Sequence, residues 1–392
     1  MRVAVVVNCL KMGGMERVAV NLSDAFFEAG HSTELIYLKN RKKAIEPRNT
    51  KLPVHLFNLK RGVLQTGIGM LWFIISKLLN ILFKKTFPLW FAYAEARIFK
   101  SRLEKLEQQN GTFDLIIFRG QGTFEHIWPI QDPRFVYVCE NIQNKSMYKG
   151  LSRWIFSRLF NDRNVVCVSD GALESFKDMV TTHQLTPKTM LTISNPNDFH
   201  KIRVDADSIP DNLHHKPYIL GLGRLVPQKN FSLLIDAYAY AISQYSIEHD
   251  LLIVGDGKER QNLETKVAEA GLADKVFFKG QQNNPFPWYK QADLFVLSSK
   301  FEGLGMVLIE ALACKTKVVS TDSRGGVRQI MQGDLEPFLA QETPVALAEV
   351  IYKALQQPWD DAFNRYVDST LLRFDTQTIV SQYLEHFVRT EQ

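Results

Sequence analysis

Short apolar runs alternate with helix-patterned stretches along nearly the whole chain, and this alternation limits the fold more than any other feature. In the first half the candidate strands are 3–7, 33–38, 115–118, 134–138 and 165–168. In the second half they are 218–222, 251–254, 276–278, 294–297 and 317–320. Strands spaced by helical stretches specify an α/β fold with parallel sheets. The two sets are separated by a polar stretch, 195–216, carrying Asp205, Asp207, Pro210 and Asp211. It reads as a connection between two halves. The predicted domains are 1–198 and 199–375, followed by a C-terminal helix within 376–392. A chain of 392 residues is long enough for two sizeable cores.

Composition excludes several classes. The four cysteines, Cys9, Cys139, Cys167 and Cys314, show no C-x-x-C spacing. They read as buried thiols of a reducing compartment, neither a disulfide frame nor a zinc site. The nine histidines have no metal-ligand spacing. The opening apolar stretch is shorter than a signal-peptide core and reads as the first buried strand. A cytoplasmic protein is the expectation. The net charge of +5 is local: residues 76–105 hold seven basic residues and two acidic ones, and the rest of the chain balances. These cations stand beside aliphatic residues and outside any recognition motif, so no nucleic-acid partner is expected.

Glycine turns follow several strands. Gly13-Gly14 lies between the first strand and a helical pattern that begins at Val18. Paired glycines there let backbone N–H groups approach a ligand, although a tight structural turn would look the same. The three-glycine dinucleotide fingerprint is absent, and no acidic residue ends the second strand, which argues against an NAD domain. The second half opens with Gly221-Leu222-Gly223-Arg224, and Lys229 lies five residues further on. A guanidinium and an ammonium at a strand end can clamp a diphosphate. Gly255-Asp256-Gly257 and Gly325-Gly326 follow two further strands.

Glu302 and Glu310 are the sharpest pair. Glu302 falls in a loop after the strand 294–297, and Glu310 about two turns into the next helix. The carboxyl edge of an open α/β sheet is where ligands bind. Carboxylates placed there can accept from sugar or ribose hydroxyls. A loop cap and a solvated helix residue would show the same spacing.

Together these residues resemble the retaining glycosyltransferases of family 4 (glycosyl transferases group 1). The matching pieces are Gly13-Gly14, Gly223-Arg224-Leu225 with Lys229, Val254-Gly255-Asp256-Gly257, Glu302 with Glu310, and Gly325-Gly326. The resemblance implies a GT-B fold, two Rossmann-like domains facing a central cleft, with a C-terminal helix crossing back to the first. It implies transfer of a sugar from a nucleotide-diphosphate sugar to a glycan or lipid-linked acceptor, in bacterial surface polysaccharide or lipopolysaccharide synthesis. Arg224 and Lys229 would hold the diphosphate, Glu302 the transferred sugar and Glu310 the ribose. Gly14, Gly223, Gly255, Gly303, Leu304 and Gly305 would complete the donor site. No metal or other cofactor is expected, because the two cations can stabilise the leaving diphosphate. Acceptor-side candidates are Glu140 and His126. A sugar-nucleotide epimerase of the same fold and a catalytically silent nucleotide-sugar-binding subunit are the alternative readings. Lys315 and Lys317 stand where the family usually has Gly and Pro, Leu304 stands where Phe is frequent, and the acidic residue common after Gly325-Gly326 is missing around Arg328.

One segment, 67–105, belongs to none of these motifs. Leu71, Ile74, Ile75, Leu78, Leu79 and Leu82 fall on one helical face, with Lys77, Asn80 and Lys84 placed opposite. Either a core-facing hairpin or a helix lying in a membrane interface fits this pattern. The second version makes the protein peripheral on the cytoplasmic face of the inner membrane, where Lys77, Lys84 and Lys85 would meet anionic headgroups.

Overall fold

Every strand pair among the described residues is parallel. The computed structural model describes residues 1–11, 13–41, 45–84, 86–146, 150–208 and 214–388. They form two units, 1–197 with 376–392, and 198–375.

In the first unit the strands are β1 (Arg2–Val7), β2 (Ser32–Tyr37), β3 (Val54–Leu56), β4 (Leu115–Arg119), β5 (Phe135–Cys139), β6 (Asn164–Cys167) and β7 (Thr189–Thr192). They assemble in the order β3-β2-β1-β4-β5-β6-β7. The second unit contains β8 (Tyr218–Leu222), β9 (Asp250–Val254), β10 (Val276–Gly280), β11 (Leu294–Leu297), β12 (Phe301–Glu302), β13 (Val318–Thr321), β14 (Arg324–Gly325) and β15 (Leu339–Ala340). Six of these form a sheet in the order β10-β9-β8-β11-β13-β15, and β12 pairs with β14. Each large sheet reverses its winding once, between β1 and β4 and between β8 and β11. In parallel sheets all carboxyl ends share one edge, and a crevice opens where the winding reverses.

The central strands are buried along their whole length, as in β1, β4, β5, β9 and β11. Helices cover both faces, which is why these strands read as continuous apolar runs. Strands β3 and β7 escape that signal. Both are edge strands, half-buried at every residue. The two-residue strands β12, β14 and β15 are too short to show a period.

The stretch 195–216 is not a simple connection. Phe199–Ala206 is a helix, and the Asp198 carboxylate accepts from Lys201 N at 2.9 Å at its start. Asp205 pairs with Lys201 at 2.6 Å, and Asp207 pairs with Lys290. Asn284 Nδ2 donates to Asp205 O at 2.7 Å. The polarity that read as linker is the exposed side of a short docked helix. Pro210 and Asp211 lie outside the described residues.

The segment after β3 forms the helices Leu59–Leu64, Gly67–Leu82 and Phe87–Asn110, the last two packing as a hairpin. Asn80 does not sit on a solvated polar face. It turns inward, and its Oδ1 accepts from Thr86 N and Phe87 N, both at 3.0 Å, fixing the hairpin turn. Among the described residues no helix is long and apolar enough to cross a membrane. Lys85 lies outside them.

The last helix among the described residues, Thr376–Phe387, packs in the first unit against Gly14–Glu28. Tyr383 is fully buried there. Its ring centroid lies 6.1 Å from that of Phe26, and its hydroxyl accepts from Arg119 Nη1 at 3.4 Å. Replacing Tyr383 by Ala empties a core position. It should cost about 3 kcal/mol in urea denaturation, against under ~0.5 kcal/mol for the exposed Glu385→Ala on the same helix.

Candidate active site

The loops that leave β8, β9, β11 and β13 are stitched together by backbone bonds. Gly223 N donates to Val254 O and Leu225 N to Asp256 O, each at 3.0 Å. Lys300 N donates to Gln228 O at 2.9 Å, and Gly326 N to Glu302 O at 3.3 Å. Two glycines are required by this closeness. A Cβ on Gly255 (φ +136°) would lie 1.9 Å from Gly223 O. A Cβ on Gly326 would lie 2.6 Å from the Leu304 backbone. The loops therefore form one surface at the winding reversal.

Across that reversal, Lys229 Nζ lies 2.6 Å from Glu302 Oε1. Lys229 comes from the loop after β8, and Glu302 from the two-residue strand β12 that follows β11, where the sequence suggests a loop. Their side chains are 14% and 10% exposed. Ser299 Oγ donates to the same carboxylate oxygen at 2.5 Å, and Ser298 Oγ donates to Lys229 O at 2.9 Å. Charges this far from water persist only when paired and hydrogen-bonded. Glu302 Oε1 takes both bonds, so Oε2 keeps its acceptor capacity. The ammonium keeps two of its three donors. Arg224 is exposed, and no carboxylate among the described residues pairs with it. The arrangement can bind a group that is anionic at one end and carries hydroxyls at the other.

Gly303, Leu304 and Gly305 follow Glu302 directly. Gly305 (φ +100°) starts the helix Met306–Ala313. The Leu304 side chain is buried, which leaves only its backbone to face a ligand. Glu310 is half-buried on that helix, and its Oε2 accepts from the Tyr289 hydroxyl at 3.3 Å. Cys314 ends the helix. Burial, then the nearby Glu310 carboxylate, pushes its thiol up to about 12, so it is no nucleophile. Lys315 adopts φ +62°, the left-handed conformation that glycine supplies at a helix end. Its ammonium compensates with an ion pair to Asp368 at 2.5 Å. Lys317 Nζ donates to Gln357 O at 2.7 Å, capping the carbonyl end of the helix Pro344–Gln356. The two departures from the usual Gly and Pro thus have local structural partners.

In the first unit Gly14 is the first residue of the helix Gly14–Glu28 and is exposed, and a Cβ there would meet nothing within 4 Å. Packing does not demand a glycine at that point. Glu140 follows β5, and its Oε1 lies 2.6 Å from the fully buried Arg119 Nη2. Arg119 also donates to Asn195 Oδ1 at 2.5 Å. Burial raises the Glu140 carboxyl above the ordinary range, and the Arg119 guanidinium opposes that shift. His126 is buried elsewhere in the unit, with Nδ1 2.5 Å from Glu95 Oε2. Glu140 and His126 therefore belong to separate side-chain pairs. Sequence reasoning missed Arg119, Asn195, Ser299, Tyr289 and Glu95. Only Arg119 carried a signal, as a charge ending an apolar strand.

Among the described residues no group of three or more His, Cys, Asp or Glu could hold a metal ion. Both large sheets are doubly wound parallel sheets, the α/β class of fold that binds ligands in the crevice at the winding reversal, and the second carries its charged loop cluster there. Residues 206–368 match the family model described as glycosyl transferases group 1. The chain is 32% identical over 203 residues to the N-acetylgalactosamine-N,N'-diacetylbacillosaminyl-diphospho-undecaprenol 4-alpha-N-acetylgalactosaminyltransferase of Campylobacter jejuni, covering 52% of each. It is 32% identical over 161 residues to the lipopolysaccharide core biosynthesis glycosyltransferase LpsE of Rhizobium meliloti, covering 41% of this chain and 44% of that one. The chain thus spans about half the length of these curated relatives. The crystal structure of Anabaena HepE in complex with UDP-glucose superposes with a TM-score of 0.71 at 18% identity, over 98% of both chains. The fold is GT-B.

Lys229→Ala strands the Glu302 carboxylate with Ser299 alone. It should cost about 2 kcal/mol in urea denaturation, with Glu302→Gln in the same background restoring part of it. Lys315→Gly relieves a left-handed lysine and should raise stability by about 0.5 kcal/mol after the loss of its exposed ion pair, read as an upward shift of the urea midpoint.

Proposed function

We propose that the protein is a retaining glycosyltransferase that moves a sugar from a nucleotide-diphosphate sugar to a glycan or lipid-linked acceptor. The observation that carries the reading is the buried Lys229–Glu302 pair at the winding reversal of the second sheet, with Arg224 exposed beside it in sequence. Arg224 and the free donors of Lys229 would take the diphosphate. Glu302 Oε2 would accept from a hydroxyl of the transferred sugar, and Glu310 from the ribose. The match over 206–368 supports this assignment, since it spans all four residues. The undecaprenol-linked transferase of Campylobacter jejuni and the lipopolysaccharide core transferase of Rhizobium meliloti support an acceptor in lipid-linked or lipopolysaccharide glycan synthesis; with such an acceptor the protein would work at the cytoplasmic face of the inner membrane.

In the proposed reaction the bond from the anomeric carbon to the diphosphate oxygen breaks as the acceptor oxygen attacks from the same face. The acceptor hydroxyl proton passes to the departing phosphate. Negative charge grows on the diphosphate, and Arg224 and Lys229 stabilise it without a metal. No side-chain nucleophile is needed, which suits the burial of Cys314 and the pairing of Glu302. On the acceptor side, Glu140 and His126 are the residues to test.

The experiment is a panel of UDP-, GDP- and ADP-sugars, read by binding calorimetry and by release of free nucleoside diphosphate. One base class should bind and hydrolyse slowly without acceptor. Arg224→Ala should lower kcat about a hundredfold with an unchanged circular dichroism spectrum. If no nucleotide sugar binds, the assignment of the site falls.

A further inference from the structure

The hairpin Gly67–Leu82 and Phe87–Asn110 presents an unusual face. Its inner side is fully engaged. Gly69 and Ser76 are buried, Trp72 Nε1 donates to Trp90 O at 2.9 Å, and the Phe73 ring lies 5.7 Å from Phe87 and 5.5 Å from Phe91. The outer side is aliphatic. Ile68, Leu71, Ile74, Leu78, Ile81 and Leu82 are each at least half exposed, and Ile68 reaches 81%. At about 1.5 Å per residue the sixteen-residue helix makes a stripe roughly 24 Å long. Soluble proteins rarely leave such a patch open unless something covers it.

Charge identifies what covers it. No acidic residue occurs between Glu46 and Glu95, whereas Lys60, Arg61, Lys77 and Lys84 all do. Lys77 and Lys84 are exposed. Lys77 stands three residues after Ile74 and four before Ile81 on the same helix, so its ammonium borders the aliphatic stripe, and Lys84 follows just past the helix end. A second copy docked on this face would bring lysines against lysines. An anionic bilayer offers both complements, acyl chains for the stripe and headgroups for its border.

We infer that the outer face of Gly67–Leu82 is a membrane-docking surface that lies flat in the headgroup region of an anionic bilayer. The inference deepens the proposed reaction and rests on it for the lipid-borne acceptor that the surface would bring within reach.

The test is sedimentation of the full chain with vesicles of phosphatidylcholine and phosphatidylglycerol, against phosphatidylcholine alone. Wild type should sediment with the anionic vesicles. Leu78→Asp with Ile81→Asp should lower the partition coefficient by on the order of tenfold or more, with an unchanged circular dichroism spectrum. Lys77→Glu with Lys84→Glu should remove the preference for anionic lipid. Wild type left in the supernatant overturns the inference, as does sedimentation indifferent to Leu78→Asp with Ile81→Asp. A solution dimer dissociated by that same pair would assign the face to a second copy instead. Calorimetry with nucleotide sugars on the same samples separates the two readings. Lost sugar-nucleotide binding with intact sedimentation removes only the reaction, and the reverse removes only the docking face.

Discussion

The contact between Lys229 and Glu302 organises the second unit. Its partners come from the two strand ends that flank the winding reversal, so it exists only if β8 and β11 are neighbours. It also needs both loops at the same height, which parallel pairing guarantees. Removing two charges from water is costly, and the cost is offset here by mutual attraction and the Ser299 hydroxyl. The result is a carboxylate oxygen and an ammonium held in place before any ligand arrives. Preorganised charge of this kind is what stabilises a departing anion most effectively.

The surrounding loops explain why the motif residues are what they are. Gly255 and Gly326 are small because another backbone passes where a side chain would stand. Their role in loop packing is sufficient without any ligand, and the same packing brings N–H groups to the sheet edge. Lys315 takes a conformation natural to glycine and keeps it with an ion pair. In the first unit the same logic runs through Arg119. It ends a buried strand and meets Glu140, Asn195 and the Tyr383 hydroxyl, so the last helix is tied to the strand-end region of its own sheet.

Much of this was legible in the chain. Ten strand positions emerge from apolar runs; nine are mainly buried strands, which must be apolar, and the tenth, β10, is a half-buried edge strand betrayed by Val276, Phe277 and Phe278. Edge strands β3 and β7 were not legible, because half-buried strands tolerate polar residues. The helix Phe199–Ala206 was hidden by its exposed charges. In the hairpin, the period of Leu71, Ile74, Leu78 and Leu82 was plain, but period does not say which way a face points. Inward packing was as consistent with it as outward exposure. Tertiary structure decided that the aromatic side faces in and the aliphatic side faces out, with Asn80 locking the turn.

The sequence by itself determined the α/β architecture, the positions of the glycine turns and the residue types at the strand ends. These are local properties, set by periodicity and by the few residues that tight turns accept. Only the tertiary structure decided the partnerships: Lys229 with Glu302, Glu140 with Arg119, His126 with Glu95. Each joins residues of different elements, 21 to 73 positions apart. Pairing across such distances depends on strand order and on burial, and neither is written in the spacing of residues along one segment.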